Sequence, residues 1–205
     1  MTRRALLEKR PFRNTPKKID YVSPHGDLTI VNEKFDIVFS SHSIEHQMNL
    51  IKHLQLVENI LNDGGLYVMI VPDKRYCFDH FRAETSVTQL LDSYVRDIEF
   101  RPLFDFLDAS MVRTHSYAFR HWLGDHGNFN EKATPENFKK LREFYETART
   151  SDTYIDAHSL CLTPRSFARL IELINRIGLT TFQVHRLCHT VWGRFEFSIV
   201  LKKAD

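Results

Sequence analysis

The chain has 205 residues, of which 42% are hydrophobic and 26% charged, a composition typical of one folded globular domain and not of a disordered chain. The net charge of +2 is too balanced to indicate a nucleic-acid partner, which we do not expect, and apolar runs of only about six residues exclude a transmembrane helix. The first residues lack an apolar signal segment, and the three cysteines form no CxxC pair. We therefore expect a cytoplasmic protein without a disulfide framework.

The first predicted elements lead to a strand–helix–strand unit. A basic arm, residues 1–18, precedes two short β-prone runs, Ile19–Val22 and Leu28–Val31. The run Phe35–Ser40 is apolar enough for a strand buried on both faces, and a helix follows it, with apolar residues at helical spacing from Leu50 to Leu61.

Asn62-Asp63-Gly64-Gly65 is predicted to end this helix before a second buried strand, Leu66–Val71. A strand, an amphipathic helix and another strand indicate a parallel pair and an α/β fold.

The remaining elements are a helical insertion and a C-terminal unit. Thr134-Pro135 and Thr163-Pro164 are helix-start signals, and Thr180–Leu187 with Arg194–Leu201 predict an antiparallel strand pair. We expect one domain with four parts: an N-terminal arm with short strands (1–34), a strand–helix–strand core (35–72), an aromatic-rich helical insertion (73–150) and a C-terminal helix with its strand pair (151–205).

A family resemblance rests on the segment Phe35–Arg82. It combines an FDIV strand, a polar turn ending in Glu45-His46, an Asp-Gly-Gly turn and a strand ending in Pro72-Asp73. This combination resembles the second half of class I S-adenosylmethionine-dependent methyltransferases. The longer pattern resembles a bacterial subgroup associated with surface polysaccharides, and it adds the segments Val71–Tyr76, Phe78–Arg82, Tyr154–His158 and Leu162-Thr163-Pro164.

The resemblance implies an incomplete doubly wound, Rossmann-like sheet, S-adenosylmethionine as cofactor, and O-methylation of a saccharide in surface polysaccharide biosynthesis. The family's glycine-rich cofactor loop lies upstream of its FDIV strand. Here only 34 residues precede Phe35, and no GxGxG occurs. We therefore expect the N-terminal glycine-rich half to be missing. An open apolar edge on the FDIV strand then predicts a homo-oligomer or a protein partner that covers it.

Two alternatives to an autonomous enzyme stay open. The chain could be a non-catalytic truncated remnant or accessory subunit that needs a partner for the cofactor site, or a fragment of a larger protein.

The candidate site residues follow the two central strands, because ligands of open α/β sheets bind at the carboxyl ends of the strands. The resemblance implies a cofactor site formed by Asp27, Ser40, Ser41, His42 and Glu45. The bases proposed for the acceptor hydroxyl are His46, Asp73 and His158. The predicted substrate-binding residues are Lys74, Arg75, His80, Trp122 and Asp156.

Each of these groups also has a structural interpretation. Serines near Glu45 could cap a helix, Asp73 could belong to a surface turn, and Asp156 could form a purely structural hydrogen bond with His158, whereas in the functional interpretation it orients His158 as a base. The pair Asp156–His158 could instead bind a metal with His46 or His80. The histidines of the insertion include His115, His121 and His126. Because no nearby cysteine and no HExxH motif accompanies them, the sequence assigns no metal site.

Overall fold

The computed structural model describes residues 19–23, 27–151, 153 and 155–204, so the predicted basic arm lies outside the described residues. Contacts divide the chain into two units, Met1–Glu33 and Lys34–Asp205. In the first unit the two predicted strands are wrong: residues 19–22 form no strand, and Leu28–Ile30 forms a 3-10 helix. The Asp27 carboxylate accepts a hydrogen bond from the Thr29 backbone N–H, which caps this turn and competes with strand formation.

The second unit is built on a four-stranded mixed sheet. Its strands are β1 (Phe35–Ser41), β2 (Leu61–Pro72), β3 (Gln183–Cys188) and β4 (Glu196–Lys202), in the order β1-β2-β4-β3. β1 and β2 are parallel, and β4 is antiparallel to both of its neighbours. The α/β class and the C-terminal antiparallel pair are thereby confirmed.

Helix α1 (Leu50–Ile60) connects the parallel strands, and Asn49 caps it by accepting a hydrogen bond from the Lys52 backbone N–H. The glycine turn that follows lies inside β2, which starts five residues earlier than predicted, and pairing with β1 is irregular between Phe35 and Ile37. A Cβ atom at Gly65 would lie 2.8 Å from the carbonyl oxygen of Asn62. Glycine therefore lets the backbone approach itself closely where the two strands come together.

The insertion contains four helices: α2 (Val87–Val95), α3 (Leu103–Met111), α4 (Ala118–Trp122) and α5 (Pro135–Thr150). Helix α6 (Pro164–Arg176) belongs to the C-terminal part. Both predicted start signals are confirmed, because the Thr134 and Thr163 hydroxyls accept hydrogen bonds from the backbone N–H groups of Asn137 and Ser166. A small second core joins α3 to α5 and the segment after it, and consists of Phe106, Tyr145, Ala148 and Ile155.

The two faces of the sheet differ in burial. On one face, α1 packs on β2 and α6 packs on β3 and β4, which buries Tyr67, Met69, Phe197 and Ile199 among others. On the other face, the side chains of Ile37 and Phe39 in β1 are 58% and 61% exposed. β1 is the edge strand of the described sheet. Among the described residues, no helix is both long and apolar enough to cross a membrane.

Candidate functional site

Polar side chains converge beyond the carboxyl ends of β1 and β2, as the sheet topology predicts. After β1 the backbone turns at His42, which has a φ of 50°, and a 3-10 turn over Ile44–His46 follows. The backbone N–H groups of Ser159 and Leu160 both donate to the carbonyl oxygen of Glu45, at 2.7 and 3.0 Å. These two bonds bring the His158 segment alongside the turn after β1.

Glu45 lies at the middle of what we call the acid–histidine centre, which consists of His42, Glu45, His46, Asp79 and His158. The residue is only 1% exposed. Its Oε1 lies 3.4 Å from His42 Nδ1, 3.8 Å from His46 Nε2 and 4.0 Å from His158 Nε2. Among the described residues, no group donates a well-formed hydrogen bond to either carboxylate oxygen of Glu45. Such a buried acceptor is costly unless a bound polar group satisfies it.

Asp79 holds His158 in place from the other side. His158 Nδ1 and Asp79 Oδ2 are 2.5 Å apart, and Arg82 donates to Asp79 at 2.8 Å. Burial by itself would raise the pKa of Asp79, but His158 and Arg82 together hold that pKa below its ordinary value. Asp79 is therefore a carboxylate that accepts a hydrogen bond from His158 Nδ1–H, which leaves Nε2 of that ring on the side of Glu45.

Asp79 was not predicted as a site residue. It lies seven residues beyond the end of β2, at a spacing that no general pattern singles out. Asp79 does belong to the Phe78–Arg82 part of the resemblance, but that motif assigned it no role, and its pairing with Arg82 three residues later carries no indication of His158.

His46 and Asp156 form the outer part of the site. His46 Nδ1 lies 3.4 Å from a carboxylate oxygen of Asp156, whose side chain is 80% exposed. The rings of His46 and His158 are perpendicular, with centroids 4.9 Å apart. Burial, reinforced by the neighbouring His158, lowers the pKa of His46, so its ring favours the neutral form. The structure thus brings Glu45, His46, Asp156 and His158 together, all four of them candidates from the sequence.

A cavity of about 320 Å³ adjoins this centre. Its volume is at the lower end of the range found for small-molecule sites. Arg113, which stacks over the ring of Phe78 at 4.2 Å, gives the cavity one cationic wall. The rest of the lining includes His46, Phe106, Ser110, Asp156 and His158.

The other predicted cofactor residues make contacts within the protein. Ser40 Oγ lies 3.0 Å from the Tyr67 hydroxyl, and His42 Nε2 lies 2.7 Å from Glu196. The carboxylates of Glu45 and Glu196 raise the pKa of His42 to about 9. Ser41 is exposed at the end of β1, and Asp27, in the other unit, is engaged in capping.

These residues do not fit S-adenosylmethionine on their own. No glycine-rich loop is present in the sequence to cradle the cofactor, and the side chains of Ser40 and His42 already have partners in Tyr67 and Glu196.

The structure favours a structural role for Asp73 over the predicted role as a base. Asp73 is fully buried and accepts hydrogen bonds from the Arg75 guanidinium at 2.6 Å and from the Thr190 hydroxyl at 2.6 Å. Lys74 donates to the carbonyl oxygen of His80 at 2.8 Å. Arg75 also lines a second cavity of about 490 Å³, together with Arg165, Arg169 and His189.

Trp122 and the histidines of the insertion lie close to the turn after β2, a 3-10 turn over Lys74–Tyr76. The Trp122 ring stacks on Tyr76 at 3.9 Å, so one of the two faces that could contact a sugar is already covered. His80, His121 and His126 each offer a nitrogen within 4.8 Å of the others, and Glu45, His46 and His158 form a second group of this kind. Burial lowers the pKa of His80, and it lowers that of His121 to about 4.

Comparison with models of known protein families finds no match, and a search among curated proteins finds none either. The methyltransferase resemblance therefore depends only on the motifs described above.

Proposed function

We propose that the chain is the acceptor-binding part of an S-adenosylmethionine-dependent O-methyltransferase. It binds a saccharide and removes the proton from the hydroxyl that receives the methyl group, and a partner chain supplies the glycine-rich cofactor loop. The observation that carries this proposal is the buried Asp79–His158 pair. Asp79 engages Nδ1 of the His158 ring, and the same ring lines the cavity of about 320 Å³. On this proposal the mixed sheet is part of a Rossmann-like methyltransferase sheet.

His158 is the general base. A hydroxyl is a poor nucleophile until its proton has an acceptor, and a neutral imidazole is well suited to that role near pH 7. The proton moves from the acceptor hydroxyl to Nε2 of His158. The imidazolium that forms lies between two carboxylates, Asp79 at 2.5 Å and Glu45 at 4.0 Å, which stabilise its charge.

His46 and Asp156 orient the acceptor at the mouth of the cavity. Both line it, and their 3.4 Å contact presents an imidazole and a carboxylate to the same bound molecule. A saccharide has several hydroxyls that such groups can bind at once, and this fixes which one faces His158.

On this proposal a partner supplies the cofactor loop, because the described part of the chain includes no glycine-rich cradle for the cofactor. Its docking surface is the uncovered side of β1, where Ile37 and Phe39 are exposed. A domain docked along β1 would bury this apolar surface, and a strand of that domain paired with the free backbone edge of β1 would extend the parallel part of the sheet. In the non-catalytic alternative the chain binds a saccharide without removing a proton. That alternative predicts that replacing His158 does not change the rate of methyl transfer.

The test is a complementation assay in a cell extract. The extract comes from cells that normally produce this chain but from which its gene has been deleted, and it is supplied with S-adenosylmethionine tritiated in its methyl group. Adding the wild-type chain should restore tritium transfer into polysaccharide. His158→Gln should lower the restored rate by about 10²–10⁴-fold, the usual contribution of a general base. His185→Gln is the matched control, because His185 is an exposed histidine on β3.

Two outcomes would overturn the proposal: no transfer restored by the wild-type chain, or equal rates with His158→Gln and wild type. Titration calorimetry with S-adenosylhomocysteine tests the partner separately. The isolated wild-type chain should show no micromolar binding, and micromolar binding would remove the need for a second chain.

A further inference from the structure

The histidine cluster of the insertion is formed by His80, His121 and His126. His80 follows the 3-10 turn after β2, His121 lies in α4, and His126 lies in the loop after α4. One nitrogen of each ring lies within 4.8 Å of the other two. The cluster shares no residue with the acid–histidine centre, and the proposed function makes no use of it.

Hydrogen bonds to backbone carbonyls determine which ring nitrogens carry lone pairs. His80 Nδ1 lies 2.7 Å from the carbonyl oxygen of Arg75, and His121 Nε2 lies 3.1 Å from that of His115. Since a carbonyl oxygen only accepts, both nitrogens carry the hydrogen. The lone pairs of the neutral rings are then on His80 Nε2 and His121 Nδ1.

The lone pair of His121 points at the third ring. His121 Nδ1 and His126 Nδ1 are 3.1 Å apart, so His126 donates to His121 in the metal-free protein. Two nitrogens bound to one tetrahedral Zn²⁺ are about 3.3 Å apart, as follows from Zn–N bonds of about 2.0–2.1 Å. This pair is therefore already at the separation that a shared cation requires.

We propose that His80, His121 and His126 bind a divalent transition-metal ion of the Zn²⁺ class. Three uncharged imidazoles suit such borderline-soft cations, whereas Mg²⁺ and Ca²⁺ prefer oxygen ligands. The carbonyl groups that accept from the distal nitrogens of His80 and His121 are the outer-shell contacts that usually orient metal-bound histidines.

Binding replaces the His121–His126 hydrogen bond and turns the stacked rings of His80 and His126 toward a common point. These rings are now 3.8 Å apart and inclined at 12°. The ion would connect α4 and the loop after it with the segment that follows β2. In this way it would fix part of the insertion to the end of a sheet strand. Water or a ligand oxygen completes the fourth position.

The test is titration of the chelator-treated full chain with Zn²⁺ by calorimetry, repeated with Co²⁺ by visible absorption. The wild-type chain should bind Zn²⁺ with submicromolar affinity, and Co²⁺ should give the intense ligand-field bands of a tetrahedral site. His80→Ala and His126→Ala should each weaken this binding by about 100-fold or more, at least as much as loss of an outer-shell contact does. His121 is buried, so its variants are avoided because they risk unfolding the chain.

Two controls separate this site from other histidines. His185→Ala removes an exposed histidine and should leave the titration unchanged. His46→Ala alters the Glu45–His46–His158 group and should also leave it unchanged. The proposal is overturned if the wild-type chain binds no Zn²⁺, if His126→Ala binds as tightly as wild type, or if binding is lost only in His46→Ala. None of these outcomes depends on methyl transfer.

Discussion

At the scale of single residues, the site is a set of charged groups removed from water. Glu45 and Asp79 are both about 1% exposed, and Arg82, which pairs with Asp79, is buried to a similar degree. The histidines around Glu45 add positive charge next to its carboxylate when they are protonated. Binding of a proton by this centre should in consequence be linked to the stability of the fold.

The pH dependence of stability should reveal His42. Its pKa rises from 6.5 to about 9 on folding, because of Glu45 first and Glu196 second. A raised folded-state pKa stabilises the protein fully below pH 6.5, and the contribution is lost as the pH rises through 9. Since the side chain is 37% exposed, solvent screening reduces the contribution to about 1 kcal/mol.

The measurement is urea unfolding of wild type and His42→Gln at about pH 6 and about pH 10. The wild-type advantage in the free energy of unfolding should shrink by about 1 kcal/mol between the two. His185→Gln, at an exposed position, should show a constant difference from wild type. A constant difference for His42→Gln as well would contradict the assignment.

At the scale of elements, two helices of the insertion, α2 and α5, begin where a side chain accepts a hydrogen bond from a backbone N–H group of the first turn. Helix α5 carries Tyr145, which packs in the second core and donates to the carbonyl oxygen of Arg101 at 2.8 Å. The start of α5 therefore affects a wall of the cavity, because Phe106 belongs both to that core and to the cavity lining.

Removing the cap of α5 should weaken the fold by a predictable amount. Thr134 is exposed, and its hydroxyl accepts from the Asn137 backbone N–H at 3.1 Å. Thr134→Ala should lower the free energy of unfolding by about 1 kcal/mol, the usual loss for such a cap. Thr134→Ser keeps the hydroxyl and is the matched control, with unfolding by urea as the measurement. Equal losses in both variants would show that the hydroxyl does not act as a cap.

At the scale of the whole molecule, one face of the sheet is covered by helices and the other exposes apolar side chains. Ile37 and Phe39 pair across the strands with Leu66 and Val68, so apolar residues of two strands share the uncovered side. Exposed apolar surface on an edge strand promotes association with another chain.

The isolated chain should therefore associate in a concentration-dependent way. The double variant Ile37→Lys/Phe39→Lys should elute in size-exclusion chromatography as a 24.2 kDa monomer. Its free energy of unfolding should stay within about 0.5 kcal/mol of wild type, because both side chains are exposed. Phe104→Lys is the matched control, since Phe104 is 67% exposed in α3 and away from the sheet. A wild-type chain that is monomeric at all concentrations would contradict this expectation.

The same features explain which sequence-based predictions were correct. Helix starts at Thr134 and Thr163 were predicted correctly because a cap involves atoms only three residues apart. The strand predicted at Leu28–Val31 was wrong because the prediction considered only the apolar residues of this run. It left out Asp27, whose carboxylate accepts a hydrogen bond from the Thr29 backbone N–H and favours a turn. Side-chain capping overrides β propensity when the run is this short.

The sequence by itself determined the α/β class, the parallel pair joined by a helix and the helix caps, because periodicity and capping act over a few neighbouring residues. Only the tertiary structure decided which acids and histidines meet. Asp79 contacts His158 across 79 residues of chain, and Asp73 is instead engaged by Arg75 and by Thr190, which is 117 residues away. Such contacts depend on how separate elements pack, and no local pattern of residues encodes that packing.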